Sequence, residues 1–150
     1  MSPLYVDTSA VAKRYLVETG SAWIRTWIEP AAGNVIVVSD LTPVEMVSLL
    51  HRRQREGSLS AQSADSLEAD FLVHLTIEYL VAPVDAAVLL QARALAKKHS
   101  LRALDAIQLA CANGTVVALG QSLTFVSADR DLLLAAAAEG FRVEDPNAHP

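Results

Sequence analysis

The sequence contains four consecutive β-branched residues, Val35-Ile36-Val37-Val38, which are followed three residues later by Thr42-Pro43-Val44-Glu45. A continuous β-branched run is typical of a strand that is buried on both faces of a parallel sheet. Thr, Pro and Glu in this order mark a helix start, with Thr42 as the N-cap, and the helix is predicted to run to Gly57. A buried strand that leads directly into a helix indicates an α/β protein.

The alternation of strand-like and helix-like segments continues on both sides of this stretch. Further strands are predicted at residues 4–7, 79–84, 123–127 and 141–143. Helices are predicted at residues 10–17 (capped by Thr8-Ser9), after Ser21 as a cap, at 61–75, from Asp85 to His99, from near Arg102, and at 129–139. The helix that begins near Arg102 ends either at Asn113-Gly114 or at Gly120. We therefore predict a single α/β domain over residues 1–150, with a central, mainly parallel sheet.

The composition excludes several classes of protein. Of the 150 residues, 52% are hydrophobic, which argues against disorder, and the net charge of −5 argues against a generally basic coat for nucleic acids. Cys111 is the only cysteine, so no internal disulfide can form, and its apolar surroundings predict a buried thiol. We find no apolar run long enough for a membrane span and no signal peptide, so we expect a cytoplasmic protein without a membrane partner.

Four acidic residues are predicted at strand ends or in the first turns of helices, namely Asp7, Glu45, Asp105 and Asp129. Ligands of parallel sheets lie beyond the carboxyl ends of the strands, so these acids are expected at one edge. A cluster of carboxylates is destabilising unless protons or a cation compensate it. Oxygen ligands of this kind suit Mg²⁺, with Mn²⁺ as a substitute, and such an ion can promote hydrolysis of a phosphodiester.

Each acid also has a purely structural interpretation. Glu45 could belong to a capping box, Asp129 could be an N-cap with Asp131 in the first turn, and Asp7 could be a turn residue. Asp105 lies on a mostly apolar helix face, where a carboxylate is costly unless it is neutralised. Instead of a cation, a salt bridge with Arg102, three residues earlier, could neutralise the Asp105 carboxylate.

Four segments carry a resemblance to a known family: Tyr5-Val6-Asp7-Thr8-Ser9-Ala10, Leu41-Thr42-Pro43-Val44-Glu45, Leu104-Asp105-Ala106-Ile107-Gln108-Leu109-Ala110 and Phe125-Val126-Ser127-Ala128-Asp129-Arg130-Asp131-Leu132. With these segments the chain resembles the PIN-domain ribonucleases, and among them the VapC-type toxins of bacterial toxin–antitoxin pairs. The resemblance covers nearly the whole chain. It implies an α/β/α sandwich, Mg²⁺-dependent cleavage of RNA, and a homodimer that a cognate antitoxin neutralises and can assemble with further.

The resemblance also assigns roles to residues. It implies that Asp7, Glu45, Asp105 and Asp129 form the acidic site. The hydroxyl groups of Thr8 or Ser9 and of Ser127 would be the neighbours of this site, and all three are candidates for contact with the substrate. Asp129 comes first after its strand and is favoured as the metal ligand, while Asp131 would act through water or bind a second ion. By this hypothesis Asp7, Asp105 and Asp129 hold the metal, and Glu45 positions or deprotonates the attacking water.

Cations near these acids are candidates for contacts with RNA phosphates. Arg14 and Arg130 are favoured because both lie close in sequence to proposed ligands. Arg52, Arg53 and Arg55 fit a solvated, dipole-stabilised helix end at least as well. Two alternatives to an RNA-cleaving toxin stay open: a non-catalytic interaction module whose acids are helix caps, and another Mg²⁺-dependent hydrolase of phosphoryl groups.

Overall fold

The computed structural model describes residues 3–150, so the first two residues of the predicted domain lie outside the described residues. The described part contains five strands: β1 (Leu4–Val6), β2 (Ile36–Ser39), β3 (Tyr79–Ala82), β4 (Thr124–Val126) and β5 (Arg142–Glu144). It contains seven α-helices: α1 (Thr8–Tyr15), α2 (Ser21–Ile28), α3 (Thr42–Arg55), α4 (Ala61–Ile77), α5 (Ala86–His99), α6 (Ala103–Leu119) and α7 (Arg130–Ala138).

The five strands form one sheet in the order β3-β2-β1-β4-β5, and every neighbouring pair is parallel. Parallel strands need long crossover connections, and the helices supply them. All carboxyl ends of the strands therefore lie at one edge of the sheet, which we call the carboxyl edge. The opposite edge is the amino edge. The predicted parallel sheet is confirmed.

Alternate residues of the strands point to opposite faces of the sheet, and each face has its own core. Tyr5, Val37 and Phe125 pack against α5, α6 and α7. The strand neighbours Val6 and Val38 pack on the other face against α1, α2, α3 and α4. The protein is therefore a three-layer α/β/α sandwich, as predicted. No helix within residues 3–150 is long and apolar enough to cross a membrane.

Three predicted helix caps are wrong by one residue or more. The N-cap of α1 is Asp7, whose side chain accepts a hydrogen bond from the Ala10 amide, and not Thr8 or Ser9. Ser21 is the first residue of α2, after Gly20 as the N-cap, and its hydroxyl donates to the Leu16 carbonyl of the preceding loop over 2.7 Å. Thr42 is fully buried as the first residue of α3, after Leu41 as the N-cap.

The long helix α6 resolves the alternative that the sequence left open. It passes through Asn113-Gly114 without interruption and ends at Leu119. Gly120 then adopts a left-handed conformation with φ of 65°, which is the usual way to end a helix. The consequence for the site is that Asp105 lies in the first turn of a 17-residue helix that is packed against α5.

Candidate active site

The Asp7 carboxylate is buried at the carboxyl edge, directly after β1. Ser9 Oγ donates to Asp7 Oδ1 over 2.7 Å, and Ser127 Oγ donates to Asp7 Oδ2 over 2.9 Å. Burial raises the pKa of Asp7 to about 7, although these hydrogen bonds and that of the Ala10 amide work in the opposite direction, and the charge of Glu45 raises it further. Asp7 is therefore a carboxylate that lacks a compensating positive charge.

The two serines also join the loop after β1 to the loop after β4. The Ala128 amide donates to Ser9 Oγ over 3.0 Å, and the Asp129 amide donates to Ser127 Oγ over 3.0 Å. Both serine hydroxyls thus donate to Asp7, and both serine oxygens accept hydrogen bonds from backbone amides. Ser9 and Ser127 are therefore neighbours of the acidic site and fix the position of Asp7, while their predicted contact with the substrate stays a prediction.

Glu45 lies in the first turn of α3, and its contacts are not those of a capping box. Thr8 Oγ1 and Gln108 Nε2 each donate to Glu45 Oε1 over 2.7 Å. Because both bonds end on Oε1, Oε2 is left without a donor among the described residues. The hydroxyl of Thr8, which we predicted beside the substrate, is likewise used to orient a carboxylate.

Asp105 is half-buried in the first turn of α6. Burial raises its pKa first, the charges of Asp129 and Glu45 add to this effect, and Arg102 offsets it only in part. The alternative of a salt bridge is not realised, since Arg102 makes no ion pair within residues 3–150. The charge of Asp105, on α6, therefore interacts with the charges of acids on α3 and at the start of α7.

Asp129 is the N-cap of α7, as the structural interpretation predicted. Its Oδ1 accepts from the amides of Asp131 and Leu132 over 2.9 and 3.2 Å. These bonds leave Oδ2 available, so capping does not exclude binding of a cation. Asp131 is exposed in the first turn of α7, and its charge contributes to the raised pKa of Asp105.

Sequence reasoning missed Gln108 as a member of this site. Its side chain is only 2% exposed, and its Oε1 accepts a hydrogen bond of 2.6 Å from the buried hydroxyl of Tyr5. Its Nε2 donates to Glu45, and also to Thr8 Oγ1 over 3.3 Å. One signal was available: a glutamine in the otherwise apolar run from Ala106 to Ala112 costs free energy unless its amide is fully bonded.

The acids at the carboxyl edge fit a hard divalent cation. Among the described residues, no Lys, Arg or His forms an ion pair with Asp7, Glu45, Asp105, Asp129 or Asp131. All five offer carboxylate oxygens, which Mg²⁺ and Mn²⁺ prefer, and Mg²⁺ commonly keeps several waters. Water can therefore fill the ligand positions that the side chains do not reach.

One group of three potential metal ligands with closely spaced ligand atoms lies elsewhere in the described part of the chain. It consists of His51, Asp65 and Glu68, whose ligand atoms all lie within 4.8 Å of one another. These residues join α3 to α4, and His51 is about 9 Å further along α3 than Glu45. Within residues 3–150, no three of the acids at the carboxyl edge meet this spacing.

Arg14 does not fit the predicted contact with substrate. Its side chain is buried at the amino edge, where it forms ion pairs with Glu29 over 2.8 Å and with Glu78 over 2.7 Å. The error arose because Arg14 follows Asp7 closely in sequence, whereas α1 runs back along the sheet and carries it to the opposite edge. Arg130, by contrast, is exposed at the start of α7 beside Asp129.

A groove of about 370 Å³ adjoins Glu45. Thr8, Ser9, Glu45 and Arg52 contribute polar groups to its wall. Apolar side chains complete the groove, including Val44 and Leu104, which are 64% and 48% exposed. From the sequence, Arg52 fits a solvated helix end at least as well as a contact with RNA. The structure places Arg52 in the same groove as the site carboxylate Glu45.

Comparison with known proteins agrees with this fold. Residues 4–139 match the model of the PIN domain. No sequence among the curated proteins matches the chain significantly. One similar solved structure is PAE2754 from Pyrobaculum aerophilum, with a TM-score of 0.66, 20% identity, and 98% of this chain and 85% of that chain covered.

Two further structures have the same fold. For FitAcB from Neisseria gonorrhoeae the TM-score is 0.65 at 20% identity, with 95% of this chain and 97% of that chain covered. For VapC20 from Mycobacterium tuberculosis, described as a Sarcin-Ricin loop cleaving toxin, the TM-score is 0.65 at 22% identity, with 92% and 95% covered. The parallel sandwich, the acids at its carboxyl edge and the match over most of the sequence agree, and the chain belongs to the PIN domain family.

Proposed function

We propose that this protein is a Mg²⁺-dependent endoribonuclease toxin, in which Mn²⁺ can replace Mg²⁺. The observation that carries the proposal is the unbalanced negative charge at the carboxyl edge. The pKa of buried Asp7 is raised to about 7. The pKa of half-buried Asp105 is raised by burial and by the charges of Asp129 and Glu45. A bound cation would stabilise a fold that holds several carboxylates close together without ion pairs.

The residues suited to hold the ion are Asp7, Asp105 and Asp129, directly or through water, with Asp131 as a further carboxylate nearby. When bound, Mg²⁺ lowers the pKa of water and stabilises the charge that develops on a phosphodiester. The chain's own contribution is position. Ser9 and Ser127 hold the two oxygens of Asp7, and the cap of α7 holds one oxygen of Asp129.

Glu45 is the proposed general base or positioning group for the attacking water. Its Oε1 is held by two donors, so its free Oε2 can accept a proton or a hydrogen bond from water. Arg130 and Arg52 are suited to hold phosphates of the RNA on either side of the acids. Attack of water on phosphorus would leave a 5′-phosphate and a 3′-hydroxyl.

A cognate antitoxin, a homodimer and a larger toxin–antitoxin assembly belong to the same proposal, and they rest on the resemblance to VapC-type toxins. The groove beside Glu45 supports an antitoxin that covers the site, since Val44 and Leu104 expose apolar surface there. Light scattering of the purified chain tests the homodimer. Loss of RNA cleavage on adding the protein encoded beside it tests the antitoxin.

The alternative of a non-catalytic module whose acids are helix caps explains part of the site. It accounts for Asp7 and Asp129, which cap α1 and α7. It does not account for Glu45, which binds Thr8 and Gln108, or for Asp105, which caps nothing and has a raised pKa. The contacts therefore favour a cation site over a set of caps.

The decisive experiment is RNA cleavage by the purified chain with Mg²⁺ and with EDTA, followed by mapping of the 5′ ends. Cleavage is expected only with the metal, and it should be lost in Asp7→Asn and Asp105→Asn. Asp70→Asn is the matched control, because it makes the same chemical change at an exposed position of α4. Full activity in EDTA, or in both site variants, would exclude the proposal.

A further inference from the structure

Gln108 connects the core of the sheet to a site carboxylate. On one side its Oε1 accepts from the hydroxyl of Tyr5, which is fully buried and stacked on Phe125 with ring centroids 5.3 Å apart. On the other side its Nε2 donates to Glu45 and Thr8. Tyr5, Gln108 and Glu45 belong to β1, α6 and α3, so the contacts join elements that are distant in sequence.

The hydrogen bonds fix the orientation of the amide. Nε2 uses both of its hydrogens, on Glu45 Oε1 and on Thr8 Oγ1, while Oε1 receives the Tyr5 hydrogen. A flipped amide would place two acceptors 2.7 Å apart at Glu45. The Tyr5 hydroxyl donates its only hydrogen to Gln108 Oε1 over 2.6 Å, which fixes that atom as the acceptor end of the amide.

We propose that Gln108 is a positioning residue for Glu45: anchored on Tyr5, it holds Glu45 Oε1 together with Thr8 and so directs Oε2 toward the attacking water. This inference rests on the proposed RNA hydrolysis, because it assigns Gln108 a role in that reaction. Two donors from α1 and α6 restrict the carboxylate more than one donor could. A displacement of about 1 Å at a reacting group can cost up to about 10²-fold in rate.

The first test is kinetic and uses an RNA oligonucleotide that the wild-type chain cleaves. Gln108→Met keeps the volume of the side chain but removes its donor, so kcat should fall about 10- to 100-fold while KM stays within about twofold. Tyr5→Phe removes only the anchor and should lower kcat less. Thr115→Val is the matched control, since Thr115 is buried on the same helix but bonds only to the Cys111 carbonyl.

A double-mutant cycle separates positioning from general damage to the fold. In the Glu45→Gln background, Gln108→Met should cause no further loss of kcat, because the group that it positions is already replaced. A kcat of Gln108→Met within twofold of wild type overturns the inference, as does an equal loss in Thr115→Val or additive losses in the cycle. If Gln108→Met does not fold, Tyr5→Phe in the same cycle decides the question.

A second readout is independent of activity. The ¹H–¹⁵N signals of the Gln108 side-chain amide, assigned by their absence in Gln108→Met, should shift in Glu45→Gln and in Tyr5→Phe but not in Thr115→Val. If the Gln108 amide signals do not shift in Glu45→Gln, the inference is overturned even if RNA is cleaved. If the signals respond but wild-type protein cleaves no RNA, the contact stands, and both the proposed function and the role of Gln108 in it fall.

Discussion

The two edges of the sheet both bury charged groups, but they treat the charge in opposite ways. At the amino edge, Arg14 lies between Glu29 and Glu78 and also donates to the hydroxyl of Tyr79 over 2.7 Å. Burial opposes this charge, yet the hydrogen bonds to Glu78 and Tyr79 raise the pKa of the Arg14 guanidinium. The buried charge of Arg14 is therefore balanced by two carboxylates of opposite sign.

At the carboxyl edge, Asp7, Glu45 and Asp129 accept hydrogen bonds, but within residues 3–150 none of the site acids forms an ion pair. Serine and backbone groups bind Asp7, a threonine and an amide bind Glu45, and burial still raises the pKa of Asp7 to about 7. Neutral donors orient a carboxylate without cancelling its charge. The amino edge therefore balances its buried charge within the protein. The carboxyl edge instead holds oriented carboxylates whose negative charge is not compensated, as a cation site requires.

The largest expected effect is on catalysis at the carboxyl edge. Asp105→Asn should lower RNA cleavage by about 10²- to 10³-fold, because several kcal/mol of charge stabilisation depend on the cation that it helps to hold. The same variant should unfold at no lower temperature than wild type in EDTA, since it removes a repelled carboxylate. Cleavage rates and thermal melts measured on one preparation check both parts; a folded, fully active variant contradicts them.

The amino edge should show the opposite pattern. Arg14→Met leaves the largely buried Glu78 with only His74, 3.7 Å away, as a basic neighbour. Breaking a buried ion pair costs about 3–5 kcal/mol of the free energy of unfolding. Cleavage per folded molecule should not change, because Arg14 does not reach the acids. Urea unfolding measures the loss, and Arg142→Met, an exposed cation on β5, is the control expected within about 0.5 kcal/mol. Stable Arg14→Met protein without activity would reverse the comparison.

Sequence patterns predicted the strands, the parallel sheet and the acids at its edge, because these depend on local periodicity and on where each strand ends. They did not predict the strand order, since periodicity defines an element but not its neighbours. They also misplaced Arg14, because closeness in sequence to Asp7 is not closeness in space once a helix intervenes. Gln108 was missed for the same reason, as its partner Tyr5 is 103 positions away.

The pH dependence of stability in metal-free protein tests whether the charge of Asp7 is uncompensated. The pKa of Asp7 is 3.8 as the ordinary value and about 7 in the fold, so between these values the folded state binds the proton and the unfolded state does not. Stability should therefore fall as the pH rises from about 4 to about 7, by up to about 4 kcal/mol from this group. Asp7→Asn should remove this dependence, and urea unfolding in EDTA across the range measures it.

Added metal provides the control for that experiment. At neutral pH, Mg²⁺ at about 100 times its dissociation constant should stabilise the wild-type fold by about 2.7 kcal/mol, because it binds the folded state only. The gain should be smaller in Asp7→Asn. Stability that does not change with pH or with Mg²⁺ would mean that Asp7 is compensated in the protein itself, and the contrast between the two edges would disappear.

The smallest expected effect tests whether the groove beside Glu45 guides RNA. Arg52→Gln in the inactive Asp105→Asn background should weaken RNA binding and reduce the slope of log K against log salt by about 0.7, the value for one contact with a phosphate of a single strand. Arg55→Gln is the matched control, because Arg55 is exposed on the same helix outside the groove. Equal slopes for Arg52→Gln and Arg55→Gln would mean that Arg52 is a solvated helix-end cation, and that the negative carboxyl edge draws its RNA-binding charge from Arg130 or from the metal instead.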